Sequence, residues 1–390
     1  MHMMTVIIVG LAMGTTVTIG HSVGAKCMEQ AEKIIGNTIT LFMGIAVAFT
    51  VILVVLVKPI VVLIATPQEA VAGTSIYLLI CFIGIPFITA YNIISSIFRG
   101  LGDSKSPMYF IGIACVMNIA LDYLFMGAFH MGAAGAALGT VCAQTFSVLV
   151  TLWVIRRRKT GISLKKSDFK IERAVIGQVL KIGIPVALQD GFIQVAFMII
   201  TVIANSRGVS DAAAVGVVEK VISALFIVPS SMLATVSALS AQNLGAGKEK
   251  RATDTLRYAT VITTIYGMIV AVLIQFIAEN VVGIFTSDTT VVTMGSAYIR
   301  SYIWDCIFAG IHFSFSGYFA ACGKSYIGFL HNIISITFVR VPGSYLASKY
   351  FTDTLYPMGL AAPAGSLVSV AICVTAFILL KRKSRVAQTA

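Results

Sequence analysis

Charge is scarce in this chain of 390 residues. Asp, Glu, Lys and Arg make up only 11% of it and hydrophobic residues 58%, where an ordinary soluble domain carries about 25% charged residues and about 45–50% apolar ones. A water-facing globule cannot hide that much apolar surface. A soluble enzyme, a disordered chain and a nucleic-acid-binding protein are therefore excluded. Acids are the rarest class, 16 against 28 Lys and Arg. The seven cysteines, at 27, 81, 115, 142, 306, 322 and 373, form no CxxC pair and fall mostly inside apolar runs. They read as small buried hydrophobes, not as a disulfide or metal framework. No HExxH pattern occurs either, and the chain reads as a non-enzyme with no cofactor. Met1 opens into an apolar run with no basic stretch before it, so no cleavable signal peptide is expected.

What the chain does have is apolar length. A membrane-crossing helix needs about 20 apolar residues, and the runs predict eleven helices, at 3–22, 36–65, 71–98, 107–128, 134–155, 177–204, 212–240, 258–285, 291–320, 326–348 and 358–380. The net charge of +12 sits mainly in alternate connections. The richest runs from Arg156, Arg157, Arg158 and Lys159 to Lys165, Lys166, Lys170 and Arg173. Further basic residues follow at 248–257 and in the tail, including Lys381, Arg382, Lys383 and Arg385, while the opposite connections hold only Lys58, Arg207 and Lys349. The positive-inside rule puts the 156–173 connection and the C-terminus in the cytoplasm and Met1 outside.

Sliding the chain along itself by 221 residues superimposes landmarks. Gly24-Ala25 meets Gly245-Ala246, Tyr77 meets Tyr298, Ser95 meets Ser316, Phe98 meets Phe319, Gly102 meets Gly323 and Ser104 meets Ser325. The second copy has six helices, and the counterpart of its first would lie before residue 1. The expected fold is an all-α integral membrane protein, a two-lobe helical bundle with a 6+6 pseudo-twofold repeat and about 11 of 12 transmembrane helices present. Its expected parts are an N-lobe at 1–160, a basic linker at 161–176, a C-lobe at 177–382 and a tail at 383–390.

The segments FRGLGDSKSPM (98–108), NIALDYLF (118–125), GAAGAALGT (132–140), IGIPVALQ (182–189) and SALSAQNLGAGK (237–248) resemble the multidrug and toxic compound extrusion (MATE) family, most closely its DinF-like prokaryotic branch. The resemblance runs over essentially the whole chain. It implies an H⁺- or Na⁺-coupled antiporter in the bacterial plasma membrane. The cargo would be small amphiphilic compounds, cationic or aromatic, exported by a monomer with no nucleic-acid partner.

An ionisable side chain inside a span is costly and is a functional candidate by default. Asn118 and Asp122 are four residues apart on one helix face. The next helix opens with small residues, Ala133 to Gly139, before Thr140. An amide oxygen, a carboxylate and a hydroxyl suit a hard cation such as Na⁺, or a proton on the carboxylate. The resemblance implies that Asn118, Asp122 and Thr140 belong to an N-lobe cation site. Asp190 lies mid-span five residues after Pro185, on a face shared with Ala187, Gln194 and Thr201; the proline suggests a discontinuous helix. Tyr302, Asp305, Ala309, His312 and Ser316 form a polar stripe at helical spacing on 291–320. Asp190 and Asp305 are the coupling candidates of the C-lobe. The weaker cavity candidates are Gln194, Tyr302, His312, Glu219, Lys220 and Arg300; for Glu219, Lys220, Arg300 and the further in-span Arg340, pairing between helices is the favoured role. The competing functional reading is a lipid-linked oligosaccharide flippase of the same superfamily, whose cavity should be dominated by Lys and Arg. A second alternative is an inactive truncated transporter.

Overall fold

The computed structural model describes residues 2–63, 68–157 and 164–389; Arg158 and Lys159 of the basic connection lie outside these residues. Helices account for nearly all of it, with no strand among the described residues. In chain order they are α1 (His2–Gly24), α2 (Met28–Val55), α3 (Val57–Leu63), α4 (Gln68–Ile83), α5 (Ile85–Leu101), α6 (Lys105–Asp122), α7 (Gly132–Arg157), α8 (Arg173–Asn205), α9 (Val209–Leu225), α10 (Ile227–Gly245), α11 (Glu249–Gly283), α12 (Thr289–Tyr302), α13 (Asp305–Ala321), α14 (Tyr326–Ser335), α15 (Val341–Tyr350) and α16 (Tyr356–Thr389). Eight helices are long and apolar enough to cross a membrane, or nine if α4 and α5, bent by 44°, form one span.

Among the described residues each of the eleven expected segments is helical, but six are interrupted, 107–128 among them, where a π segment, Tyr123–Ala128, follows α6. Leu56, Gly84 and Phe226 separate α2 from α3, α4 from α5 and α9 from α10; Ile303 and Trp304 separate α12 from α13; a π segment, Ile336–Arg340, joins α14 to α15. The single helices expected over 36–65, 71–98, 107–128, 212–240, 291–320 and 326–348 are corrected accordingly. Pro185 behaves in the opposite way. It lies inside α8, which continues unbroken, so the discontinuity expected there is absent. A proline removes one intrahelical bond, and α8 absorbs that loss.

The chain divides into two compact units, 1–183 and 184–390, so the first eleven residues of α8 belong to the first unit. Three pairs of helix starts keep the repeat: α2 and α11, α4 and α12, and α6 and α14 each begin 221 residues apart. Unit 1 packs Ile19 of α1, Ile34 and Phe42 of α2, Ile93 of α5 and Val179 of α8 into one core. Gly14 and Gly183 let α1 and the start of α8 touch backbone to backbone, because a Cβ on either would collide with the other's helix. The connection before α8 is strapped to α2: Asn37 Nδ2 donates to Asp168 O (3.1 Å), and the Glu172 amide donates to Asn37 Oδ1 (2.6 Å). In unit 2, Tyr298, Tyr302, Ile222 and Ile299 anchor a larger core.

Several hydroxyls inside the spans are satisfied locally. Thr18, Thr151, Thr201 and Thr263 each donate to the carbonyl four residues back, which removes the cost of an unmade bond in an apolar surrounding. The outer faces are greasy: Ile262, Ile269 and Phe276 of α11 are exposed, as lipid contact requires. Arg207 is a structural clamp. Its side chain is 6% exposed and pairs with Asp211 at 2.7 Å, while its guanidinium donates to the carbonyls of Ser348, Phe351 and Thr352 at 2.8–2.9 Å.

Candidate functional site

The break between α12 and α13 builds the site of unit 2. Where a continuous helix would bond the Arg300 carbonyl to residue 304, the side-chain amide of Gln275 donates to it instead (3.0 Å). The break makes Asp305 the first residue of α13, where the amide groups of a helix N-terminus favour a carboxylate. The polar stripe therefore spans two helices rather than one, yet all five members are buried: Tyr302 and Asp305 are 1% exposed, and Ala309, His312 and Ser316 little more.

Four of them, Tyr302, Asp305, Ala309 and His312, line a cavity of about 50 Å³ together with Asn332, Arg340 and Ser366, among others. Several water molecules fit in such a volume, since each needs roughly 10–15 Å³, whereas drug-sized ligands occupy pockets of about 300–1,000 Å³. Ser366 hydrogen-bonds the Asp305 carboxylate, but Oδ1 of Asp305 has no partner; neither does Nδ1 of His312, Nδ2 of Asn332 nor Nε of Arg340. Behind the cavity His331 stands 5.4 Å from His312, ring to ring, and its Nε2 shares a 2.9 Å hydrogen bond with Ser316 Oγ. Buried polar atoms normally find partners, so this cluster of orphans marks a place built for water, a proton or an ion.

The other expected residues are placed unequally. Glu219 is half-buried and faces Thr201 Oγ1 at 3.4 Å, a contact between α9 and α8. Asp190 and Gln194 are half-buried on α8, and Asp190 makes no ion pair among the described residues. Neighbouring Gln189 is 1% exposed, with both amide atoms unpartnered. Lys220 is exposed. Arg300 pairs with the exposed carboxylate of Glu279 at 3.2 Å. Neither basic residue joins the cavity.

In unit 1, Asn118 Nδ2 donates to Asp122 Oδ1 at 3.3 Å. The small residues opening α7 do allow close approach, and a Cβ on Gly139 would collide with Asp122 Oδ1. Thr140 does not join the pair. It is exposed and donates to Ala136 O of its own helix; one residue of rotation, about 100°, places Gly139 against Asp122 instead.

Sequence reasoning missed Asn332, Ser366 and Ser369, which line the cavity from other helices, and His331 behind it; Arg340, expected to pair between helices, lines the cavity as well. The one available signal was Gly328, three residues before His331, where a Cβ would crowd Gln189 Oε1 and Ser316 Oγ. The pentapeptide Gly20–Gly24 (GHSVG) fits a nucleophile-elbow pattern by letter alone. It lies in the last turns of α1, with Ser22 buried and donating to Thr18 O, not on the strand-to-helix turn that such a nucleophile needs.

Apolar spanning helices, an internal repeat and a buried polar chamber define a polytopic membrane transporter. The chain belongs to the MatE family, whose model matches residues 1–124 and 185–346. It is 30% identical over 354 residues to the probable multidrug resistance protein YpnP of Bacillus subtilis, covering 90% of this chain and 79% of that protein. To the probable multidrug resistance protein NorM of Thermotoga maritima it is 23% identical, covering 89% and 75%. A solved outward-facing multidrug resistance MATE transporter of the MOP superfamily matches with a TM-score of 0.91 at 19% identity, over 99% of this chain and 86% of that one. The fold is thus the two-lobe helical fold of these transporters.

Proposed function

We propose that the chain is a cation-coupled antiporter that exports amphiphilic, cationic or aromatic compounds by alternating access across a bacterial plasma membrane, as a monomer with its C-terminus in the cytoplasm. The observation that carries this reading is the buried Asp305 carboxylate, with one oxygen unpartnered, facing a cavity of water and ion size. A cation can move a two-state equilibrium only by its differential affinity for the two states. A carboxylate at the start of a helix, inside the unit, supplies such a difference when its access to water changes. The names of the relatives support multidrug cargo. The small chamber is read as the coupling site, with cargo bound elsewhere. Asp190, on the half-buried face of α8, and the Asn118–Asp122 pair are its expected partners in coupling.

Reconstituted protein should extrude ethidium on an imposed pH or Na⁺ gradient. Asp305→Asn should slow this about 5–150-fold, the span of ordinary coupling energies, at unchanged protein content per vesicle. Undiminished efflux in Asp305→Asn removes Asp305 from coupling. Absence of efflux in the wild type, together with thermal stabilisation by a pyrophosphate lipid and not by ethidium, overturns the drug-export reading.

A further inference from the structure

The chamber of unit 2 contains a fixed cation that a reading based on carboxylates alone leaves out. Arg340 ends the π segment, two residues before Pro342 at the start of α15. Its guanidinium lies over the rings of Phe197 and Tyr302, 5.0 Å and 5.5 Å from their centroids, and donates to Tyr302 Oη. Its Nε is buried without a partner. It lines the same cavity as Asp305 and lies within electrostatic reach of Asp305 and Glu219. It makes no ion-pair contact with either among the described residues.

The groups around the cavity can be taken element by element. Helix α13 brings Asp305, Cys306 and His312; α12 brings Tyr298 and Tyr302; α9 brings Glu219; α14 brings His331 behind His312. Helix α8 contributes only apolar Ile193 and Phe197 to the lining, and α16 the hydroxyls of Ser366 and Ser369. Asp305 lines the cavity with the guanidinium, and Glu219 stands outside the lining within its electrostatic reach, so two carboxylates bear on one fixed cation and one negative charge is left to balance. A proton does this on the carboxylate itself and adds no free charge. A metal ion would instead stand in a low-dielectric space beside the guanidinium and the positive end of α13, and both would repel it at short range.

The geometry points to Arg340 as a tethered cation that takes the place of a bound metal ion in this chamber and leaves the proton as its mobile charge. Arg340 is then a determinant of ion specificity for coupling through Asp305, an assignment that rests on the antiporter reading above.

The test is binding of radiolabelled Na⁺ to the purified full chain, compared among the wild type, Asp305→Asn, Arg340→Gln, Arg340→Lys and the double variant Asp305→Asn with Arg340→Gln. Wild-type binding should be unaffected by Asp305→Asn; any Na⁺ held by Asn118 and Asp122 is independent of Asp305 and cancels in that comparison. Arg340→Gln should create a Na⁺ site at least about tenfold tighter than any in the wild type, and the double variant should abolish it. Arg340→Lys keeps the charge and should behave as the wild type. Wild-type Na⁺ binding that is lost in Asp305→Asn overturns the proposal, as does a folded Arg340→Gln protein with no Asp305-dependent site. If Arg340→Gln yields no folded protein, the wild type against Asp305→Asn decides alone. Because binding is read without transport, a failure of ethidium efflux would remove the antiport reading and leave this charge balance standing.

Discussion

The two units use one scaffold for different chemistry. At an offset of 221 residues, Tyr302, Asp305, Ala309 and His312 of unit 2 correspond to Cys81, Gly84, Ile88 and Tyr91 of unit 1, and His331, Asn332 and Ser335 correspond to Phe110, Ile111 and Ala114. The charged chamber of the second copy is thus filled in the first by apolar or uncharged residues. The acid of unit 1 moves to the C-terminal end of α6, where Asp122 leans on Gly139. Backbone geometry survives duplication because starts, caps and close-packed glycines fix it. A buried charge depends on a few partners that converge from several helices, so it can appear in one copy and vanish from the other.

The sharpest break in that likeness is Arg207. Unit 2 secures the turn after α15 with its guanidinium, whereas unit 1 closes the corresponding turn through its own backbone, Phe129 and Met131 donating to Leu124 and Phe125. Removing one partner of a buried ion pair costs about 3–5 kcal/mol. Arg207→Ala should therefore lower stability by about 3 kcal/mol, read as a shift of the thermal midpoint in detergent. A shift of no more than a degree would mean that the turn holds itself, as in unit 1.

Asn37 marks a difference of the opposite sign. Its side chain grips the connection that precedes α8, while the residue at the same position in unit 2 is Tyr258, exposed on α11. Asn37→Ala leaves the Asp168 carbonyl and the Glu172 amide without that partner. A loss of about 2 kcal/mol is expected, along with faster proteolysis between 164 and 172. An unchanged cleavage rate would mean that Thr40, which donates to Phe169 O at 3.0 Å, holds the strap alone.

Much of this was legible in the sequence. Apolar length located the eleven helical segments, and the offset of 221 located the repeat, because both are written in runs and landmarks. The breaks at Leu56 and Phe226 carry no Gly or Pro themselves; their marks are Pro59 and Pro229, each three residues on, which cannot donate to the carbonyls of Val55 and Leu225 where α2 and α9 end. The chamber was half legible. Periodicity put Tyr302, Asp305 and His312 on one face, and they stay together because only Ile303 and Trp304 separate α12 from α13. It could not reveal that Asn332, Arg340 and Ser366 meet that face, because a meeting of faces is set by packing. Thr140 failed for the same reason by a single position: small residues announced that α7 approaches Asp122, but not which of them touches it.

The smallest effect tests the repeat at a single backbone angle. The turn after α1 and the turn after α10 share one hydrogen-bond pattern. Cys27 and Lys248 donate to carbonyls five residues back, Lys26 and Gly247 to carbonyls three back, and Ala25 and Ala246 to carbonyls four back. Both copies need a left-handed residue at the second position, with φ of 58° at Lys26 and 68° at Gly247. Glycine adopts that conformation freely, and a residue with a Cβ does so at about 1–2 kcal/mol. Lys26→Gly should stabilise unit 1 by about 1 kcal/mol, less whatever the unfolded chain gains in freedom from glycine, and Gly247→Lys should destabilise unit 2 by a similar amount. Opposite signs in the two copies would establish that the caps are equivalent. Equal signs would mean that charge at the membrane surface, which both substitutions alter, outweighs the backbone.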